Sequence, residues 1–380
     1  MARVFRYWQH LSNFSAFEWV GRYARLSPTK AALVFQQSEI TYVQLNDHPR
    51  KVASALEDLG VRKSDRVAVL IPNQPEFVEV LVGCSVLGAI FVPINTRLAE
   101  DEIAYILEDS NPEAFIWDSS LESKAKEAHR RVMNHRCSMT PIQIGGDSSD
   151  GTQLYEDWRE SYEAYSGHSD IWEHDAALMM YTSGTTGRPK GAMITHSNVM
   201  WNALNISVDF GGGMDDVILH TAPLFHITPL SILLFGLYFG GSSVLQKSFH
   251  PVNALEAIQE HRVTFAFMVP AMWQAVTQVP NLAEYDLSSL RLCPSGGAPC
   301  PQPVIEFFLN LWGETVAAIV VPKAGRHIQW EDVRSFCDSS LARYKMPTRL
   351  HIVDALPRNG VGKVAKVELR HQFGNQSVPL

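Results

Sequence analysis

The sequence predicts an α/β fold, with mostly parallel sheets flanked by helices. Three observations carry that reading. Short apolar runs recur at Arg66–Ile71, Ala89–Val92 and Ala114–Trp117. Helix-length stretches fill the gaps between them. The strand, helix, strand, helix order at this spacing suits βαβ units, which place neighbouring strands parallel. With 380 residues, 46 % hydrophobic and 19 % charged, the chain is long enough for two or three domains and a sizeable core.

Each element has a local cause. Thr41-x-x-Gln44 has the form of a capping box. It opens a helix that carries Leu45, Val52, Leu56 and Leu59 and stops at Gly60, with Pro49 expected to kink it. Arg66–Ile71 is a short buried strand, and Asn73 is placed to cap the next helix, Pro75 to about Leu87. Ala89–Val92 is the next strand, Ala99–Glu108 a helix, and Ala114–Trp117 a strand. The charged segment Glu122–Arg136 reads as a solvated helix, and Gly145–Gly151 as a loop. Ala176–Met180 is a strand and Asn198–Ile206 a helix. Leu290–Cys293, Val316–Val321 and Arg349–Asp354 are short strands. No internal repeat or low-complexity tract interrupts the pattern.

Composition excludes several classes. A formal net charge of −8, with no Lys/Arg run, argues against nucleic acid as a partner. Five scattered cysteines without C-x-x-C spacing suit reduced thiols rather than a disulfide framework or a zinc site. The start lacks the apolar core of a signal peptide, and Ser-Val-Pro-Leu at the end is not a peroxisomal address, so a cytoplasmic location is expected. Two apolar stretches are interrupted, Val78–Ile94 by Glu79 and Pro93, Ile227–Gly241 by Pro229 and glycines. They read as buried helix and strand rather than membrane spans.

The chemistry concentrates in Tyr181-Thr-Ser-Gly-Thr-Thr-Gly-Arg-Pro-Lys-Gly191. Glycines let backbone N–H groups approach an anion, the hydroxyls of Thr182, Ser183, Thr185 and Thr186 add hydrogen bonds, and Lys190 adds a mobile charge. Thr195-His196-x-Asn198 follows. The G-x-x-x-x-G-K-[ST] spacing of the Walker loop is not met. The string instead resembles the phosphate loop of the adenylate-forming (AMP-binding) superfamily, which includes acyl-CoA synthetases, luciferases and peptide-synthetase adenylation domains. That resemblance implies ATP phosphate contacts from Thr182, Ser183, Gly184, Thr185, Thr186, Gly187 and Lys190, with Thr185 on a Mg²⁺ ion.

Further segments extend the resemblance, in family order. Pro223-Leu-Phe-His226 is similar to the substrate-side segment. A histidine at 226, where amino-acid-activating members carry an aspartate, implies a carboxylic acid without an α-amino group. Pro229 stands where the family has glycine. Ser295-Gly-Gly-Ala-Pro299 resembles the adenine-binding turn, implying adenine contacts from Gly296, Gly297, Ala298 and Pro299. Tyr344-Lys-Met-Pro347 and Leu356-Pro-Arg-Asn-Gly-Val-Gly-Lys363 resemble the closing motif, which makes Lys363 the catalytic lysine.

The family's Tyr-Gly-x-Thr-Glu and Thr-Gly-Asp segments and its hinge are missing, and with them the expected glutamate ligand of Mg²⁺. Around 311–313 the chain reads as an internal deletion. The resemblance therefore implies residues 1–312 as an AMP-binding domain without its last subdomain. Residues 313–380 become the second half of a small, mobile α+β C-terminal domain. The implied function is an ATP-dependent carboxylate–CoA ligase of the acyl-CoA synthetase branch, using ATP, Mg²⁺ and CoA on fatty or other hydrophobic acids. A catalytically impaired relative that retains partial nucleotide binding is the alternative. A carrier-loading adenylation domain is weakened by His226 and by the absence of a carrier sequence.

Overall fold

The computed structural model describes residues 15–134, 138–147, 151–167, 169–182, 188–311, 317–323, 325–338, 347, 349–358 and 364–373. It divides into two compact units, Met1–Val269 with Val279–Ser295, and Pro270–Gln278 with Gly296–Leu380.

In the first unit the elements run α1 (Ala16–Leu26), β1 (Ala31–Phe35), β2 (Ser38–Thr41), α2 (Tyr42–Asp58), β3 (Arg66–Leu70), α3 (Pro75–Leu87), β4 (Ile90–Pro93), α4 (Glu100–Ser110) and β5 (Ala114–Asp118). They continue with α5 (Glu122–Met133), β6 (Thr140–Ile144), β7 (Gln153–Leu154), α6 (Tyr155–Glu160), β8 (Ala176–Thr182), β9 (Lys190–Thr195) and α7 (His196–Phe210). Then come β10 (Val217–His220), α8 (Ile227–Phe239), β11 (Ser242–Leu245), α9 (Pro251–Glu260) and β12 (Phe265–Ala266). The strands form a seven-stranded sheet, β7-β6-β5-β3-β4-β8-β9, and a five-stranded sheet, β12-β10-β11-β1-β2. Every pairing is parallel except β8 with β9 and β1 with β2. The mostly parallel α/β expectation is met.

Strand β3 shows why these runs are apolar throughout. Val67 and Val69 face one core, shared with α1, α2, α3, α8 and the inner face of the five-stranded sheet. Ala68 and Leu70 face a second core, against α4 and α5. A strand buried on both faces has no polar alternation to display. The capping box is present: Thr41 Oγ1 accepts from Gln44 N–H, and Gln44 Oε1 accepts from Thr41 N–H at 2.9 Å. Helix α3 ends at Gly88, whose φ of +72° lies in the left-handed region that glycine adopts without strain. Val78–Ile94 is buried helix and strand, and Ile227–Gly241 is a largely buried helix with its C-cap. Among the described residues, no helix is long and apolar enough to cross a membrane.

Four expectations need correction. Asn73 does not cap α3, whose N-cap is Gln74. Its buried amide instead donates to the carbonyls of His220 (3.2 Å) and Ala222 (2.9 Å) and accepts from Leu224 N–H (2.8 Å), so it is committed to linking the two sheets. The second strand starts at Ile90, because Ala89 N–H still bonds to the Cys84 carbonyl at the end of α3. Leu290–Cys293 forms no strand; Leu292 makes only an isolated parallel bridge to Phe265. The helix expected from Asn198 begins two residues earlier, since Thr195 and Asn198 are themselves its capping pair.

In the second unit, α10 (Pro270–Thr277) and α11 (Gln302–Leu311) pack through Trp273 and Phe308, ring centroids 4.6 Å apart and edge to face. β13 (Ala317–Val320) pairs in parallel with β14 (Arg349–Ile352), and α12 (Trp330–Asp338) and α13 (Lys366–Phe373) complete it. The junction at 312–313 lies outside the described residues.

Candidate active site

The phosphate-loop string sits at the turn of an antiparallel hairpin, a feature the sequence did not disclose. Strand β8 leads into it and β9 leads out, with Tyr181 opposite Gly191 and Thr182 opposite Lys190. Ser183, Gly184, Thr185, Thr186 and Gly187 lie outside the described residues. Thr182 and Lys190 are thus held face to face at the two ends of the loop, both exposed. β9 escaped notice because Lys190-Gly-Ala-Met-Ile-Thr195 is a solvent-facing edge strand without apolar alternation.

The two arms are tied down by one helix. Tyr181 donates its hydroxyl to the Asp109 carboxylate at 2.6 Å, and Tyr105 donates to the Pro189 carbonyl at 3.1 Å. The Arg188 guanidinium lies 5.5 Å from the centre of the Tyr105 ring. Burial, reinforced by the Asp109 charge, holds the Tyr181 phenol well above its ordinary pKa, so it stays protonated and donating. Tyr105 and Asp109 were not singled out from the sequence. Their four-residue spacing on α4 was the available signal.

Downstream, the Thr195–Asn198 pair caps α7 with two 3.1 Å hydrogen bonds. His196 is 2 % exposed and its pKa is pushed down to about 4, by burial first and by Lys63 against the opposing pull of Asp175. It faces a space of about 20 Å³ between Ser85, Leu178 and Leu234, so its role is in packing behind the hairpin.

His226 is the exposed N-cap residue of α8, on the helix that follows β10 of the five-stranded sheet. Its ring lies 4.6 Å from that of Phe225, and partial desolvation, then the Arg97 charge, lower its pKa. A neutral imidazole at a helix N-terminus suits an anionic ligand only as a hydrogen-bond donor. Pro229 falls within the first turn of α8, where no helical N–H is required of it.

Gly296, Gly297, Ala298 and Pro299 open the stretch of the second unit that leads to α11. Gly297 has φ +87°, a conformation that a side chain would strain. Lys363 lies outside the described residues. Among the described residues, no three His, Cys, Asp or Glu side chains converge in a way that would hold a metal.

Comparison with known proteins places this geometry. The AMP-binding enzyme family model matches residues 20–321, and that of the AMP-binding enzyme C-terminal domain matches 304–363. Feruloyl-CoA synthase of an Amycolatopsis species is 36 % identical over 302 residues, covering 79 % of this chain and 58 % of the relative. Indoleacetate–CoA ligase of Aromatoleum aromaticum is 34 % identical over 292 residues, covering 76 % and 56 %. The chain thus spans less than two thirds of the length of these curated relatives.

Among solved structures, the inhibitor-bound N-terminal domain of FACL13 from Mycobacterium tuberculosis superposes with a TM-score of 0.70 at 31 % identity, over 78 % of this chain and 73 % of that one. A fatty acyl CoA synthetase of the same organism gives 0.71 at 23 % identity over 95 % and 98 %, a likeness of fold. The sheets, the hairpin and the family match over most of the length agree: the chain belongs to the AMP-binding enzyme family.

Proposed function

We propose that the chain is built on the plan of an ATP-dependent carboxylate–CoA ligase. The observation that carries this reading is the β8–β9 hairpin, which sets Thr182 opposite Lys190 around a loop of glycines and hydroxyls. Family membership supports it, and so do relatives named for feruloyl, indoleacetate and long-chain fatty acid substrates. These acids share an apolar body and no α-amino group, in keeping with His226.

A carboxylate is a poor electrophile because oxide is its leaving group. Its oxygen attacks the α-phosphorus of ATP, the bond to pyrophosphate breaks, and acyl-adenylate forms. The CoA sulfur then attacks the acyl carbon, its proton is lost and AMP leaves. In this reading, residues 182–187 and Lys190 hold the phosphates, Gly296–Pro299 flank the adenine and His226 faces the acid. Lys363 stabilises charge on the reacting oxygens. Magnesium would neutralise the departing pyrophosphate, with Thr185 as the protein's contribution.

Residues 1–312 are read as the nucleotide domain without its last subdomain and 313–380 as the second half of the mobile domain. The two family models meet in this region, overlapping at 304–321.

ATP titration by calorimetry tests the loop. Lys190→Ala with Thr185→Ala is expected to weaken ATP binding by at least tenfold, since charge-assisted contacts to phosphate contribute on the order of 1.5–3 kcal/mol each. Unchanged affinity would remove the loop from the site.

A second reading, a catalytically impaired relative, is favoured by the sequence between Pro299 and Lys363, which carries neither a Tyr-Gly-x-Thr-Glu nor a Thr-Gly-Asp string. Losing two charge-assisted nucleotide contacts with the missing segments costs roughly 3–6 kcal/mol, about two to four orders of magnitude in rate. Acyl-CoA formation by the purified 380-residue protein from ATP, Mg²⁺, CoA and a panel of fatty and aromatic acids is therefore expected to be marginal. Turnover near one per second on any acid would overturn this second reading.

A further inference from the structure

We propose that Tyr105 and Asp109 are positioning residues for polyphosphate binding, holding the two arms of the β8–β9 hairpin from a single helix. This rests on the reading of the hairpin as a phosphate loop and adds two residues outside its sequence string.

The geometry is specific. Asp109 takes the incoming arm through the Tyr181 hydroxyl at 2.6 Å. Tyr105, one helical turn earlier on the same face of α4, takes the outgoing arm through the Pro189 carbonyl at 3.1 Å. The two anchored positions flank the Thr182–Lys190 pair. Helix α4 is itself fixed, because Ile103, Ile106 and Leu107 are buried in the second core, against which Tyr105 and Tyr181 also pack. Strand β9 is the edge of its sheet, with β8 as its single strand neighbour among the described residues. An edge ribbon flexes and twists more readily than an internal strand. Two tethers from a buried helix restrict that freedom before ligand arrives, so less conformational entropy remains to be lost on binding.

Arg188 adds a second consequence. Its guanidinium, 5.5 Å from the Tyr105 ring centre, is a cation kept beside the outgoing arm. Tyr105→Phe removes the tether to Pro189 and keeps this stacking, whereas Tyr105→Leu removes both.

Calorimetric titration of the 380-residue protein with ATP, AMP and inorganic tripolyphosphate, alongside thermal melting, tests the proposal. Asp109→Ala and Tyr105→Phe are each expected to weaken ATP and tripolyphosphate about three- to tenfold, sizes suited to half-exposed hydrogen bonds. AMP affinity and Tm should stay close to those of the parent. Asp109→Asn, which still accepts from Tyr181, should recover most of the loss. Tyr181→Phe combined with Asp109→Ala should lose no more than either alone. ATP affinity that is unchanged in both single variants overturns the proposal while leaving the loop assignment standing. Equal weakening of ATP and AMP, or a matching fall in Tm, also overturns it, because the two residues would then only support the fold. A parent protein that binds neither ATP nor tripolyphosphate overturns the loop assignment itself.

Discussion

Replacing Lys363 with alanine is expected to lower carboxylate-dependent pyrophosphate exchange by about three orders of magnitude, the scale seen when one group aimed at developing charge is removed. The host for this test is a chimaera in which a relative's segment is inserted near residue 312. Adenylation redistributes negative charge between the attacking carboxylate, the α-phosphate and the departing pyrophosphate, and a fixed ammonium lowers the energy of that arrangement more than that of the ground state. Thioester formation from supplied acyl-adenylate no longer passes through it. That half-reaction should retain most of its rate. Equal losses in both halves would assign Lys363 a structural role.

The second large effect concerns stability. Glu79, 1 % exposed on α3, accepts at 2.7 Å from Arg159 and at 2.8 Å from the Tyr155 hydroxyl, and lies 2.8 Å from His48 Nδ1. Arg159→Ala leaves this carboxylate buried with its main counter-charge gone. The expected cost is roughly 3–5 kcal/mol, seen as a large fall in denaturant midpoint. Adding Glu79→Gln to Arg159→Ala should recover part of it, because a neutral amide is cheaper to bury. No recovery would mean that Arg159 acts through packing alone.

The pH dependence has a definite sign. Burial raises the Glu79 pKa, but the His48 hydrogen bond and the Arg159 charge outweigh it and leave the carboxyl below its ordinary value. A depressed carboxyl stabilises the fold above the unfolded value, about 4.3, and that contribution disappears as pH falls through the folded pKa. Acid titration of stability should therefore be shallower in Glu79→Gln. Glu76 works in the opposite sense. Burial pushes it up to about 7, so it costs stability as pH rises from its unfolded value toward neutrality.

What was readable in the sequence was what is local. The capping box at Thr41 and Gln44, the buried run at Val67–Leu70 and the helix end at Leu87 each declare themselves within a few residues. The phosphate-loop string was equally plain. Asn73 was misassigned because its three partners lie about 150 positions downstream, at His220, Ala222 and Leu224, and no local pattern encodes them. Strand β9 was missed because this edge strand, with exposed and half-buried residues in no regular order, carries no alternation to detect. Tyr105 and Asp109 were not singled out, since what they hold is a carbonyl and a phenol on a distant hairpin.

The order in which the two sheets are encoded bears on how the chain acquires its shape during synthesis. All strands of the seven-stranded sheet come from one uninterrupted stretch, Arg66 to Thr195. The five-stranded sheet is split around it: β1 and β2 precede the stretch, and β10, β11 and β12 follow it. The Ala31 carbonyl, at the start of β1, meets its Ser242 hydroxyl partner 211 positions later. At about 5–20 residues per second, the ribosome leaves β1 and β2 without their parallel neighbour for roughly ten to forty seconds. During that interval Leu33 and Val34, fully or nearly buried in the finished fold, lack the β11 residues Ser243 and Val244 with which they pair. An isolated two-stranded ribbon is marginally stable in water. The nascent N-terminal segment is thus a natural client for a ribosome-associated holding chaperone, and slowing translation between residues 66 and 217 should lower the soluble yield.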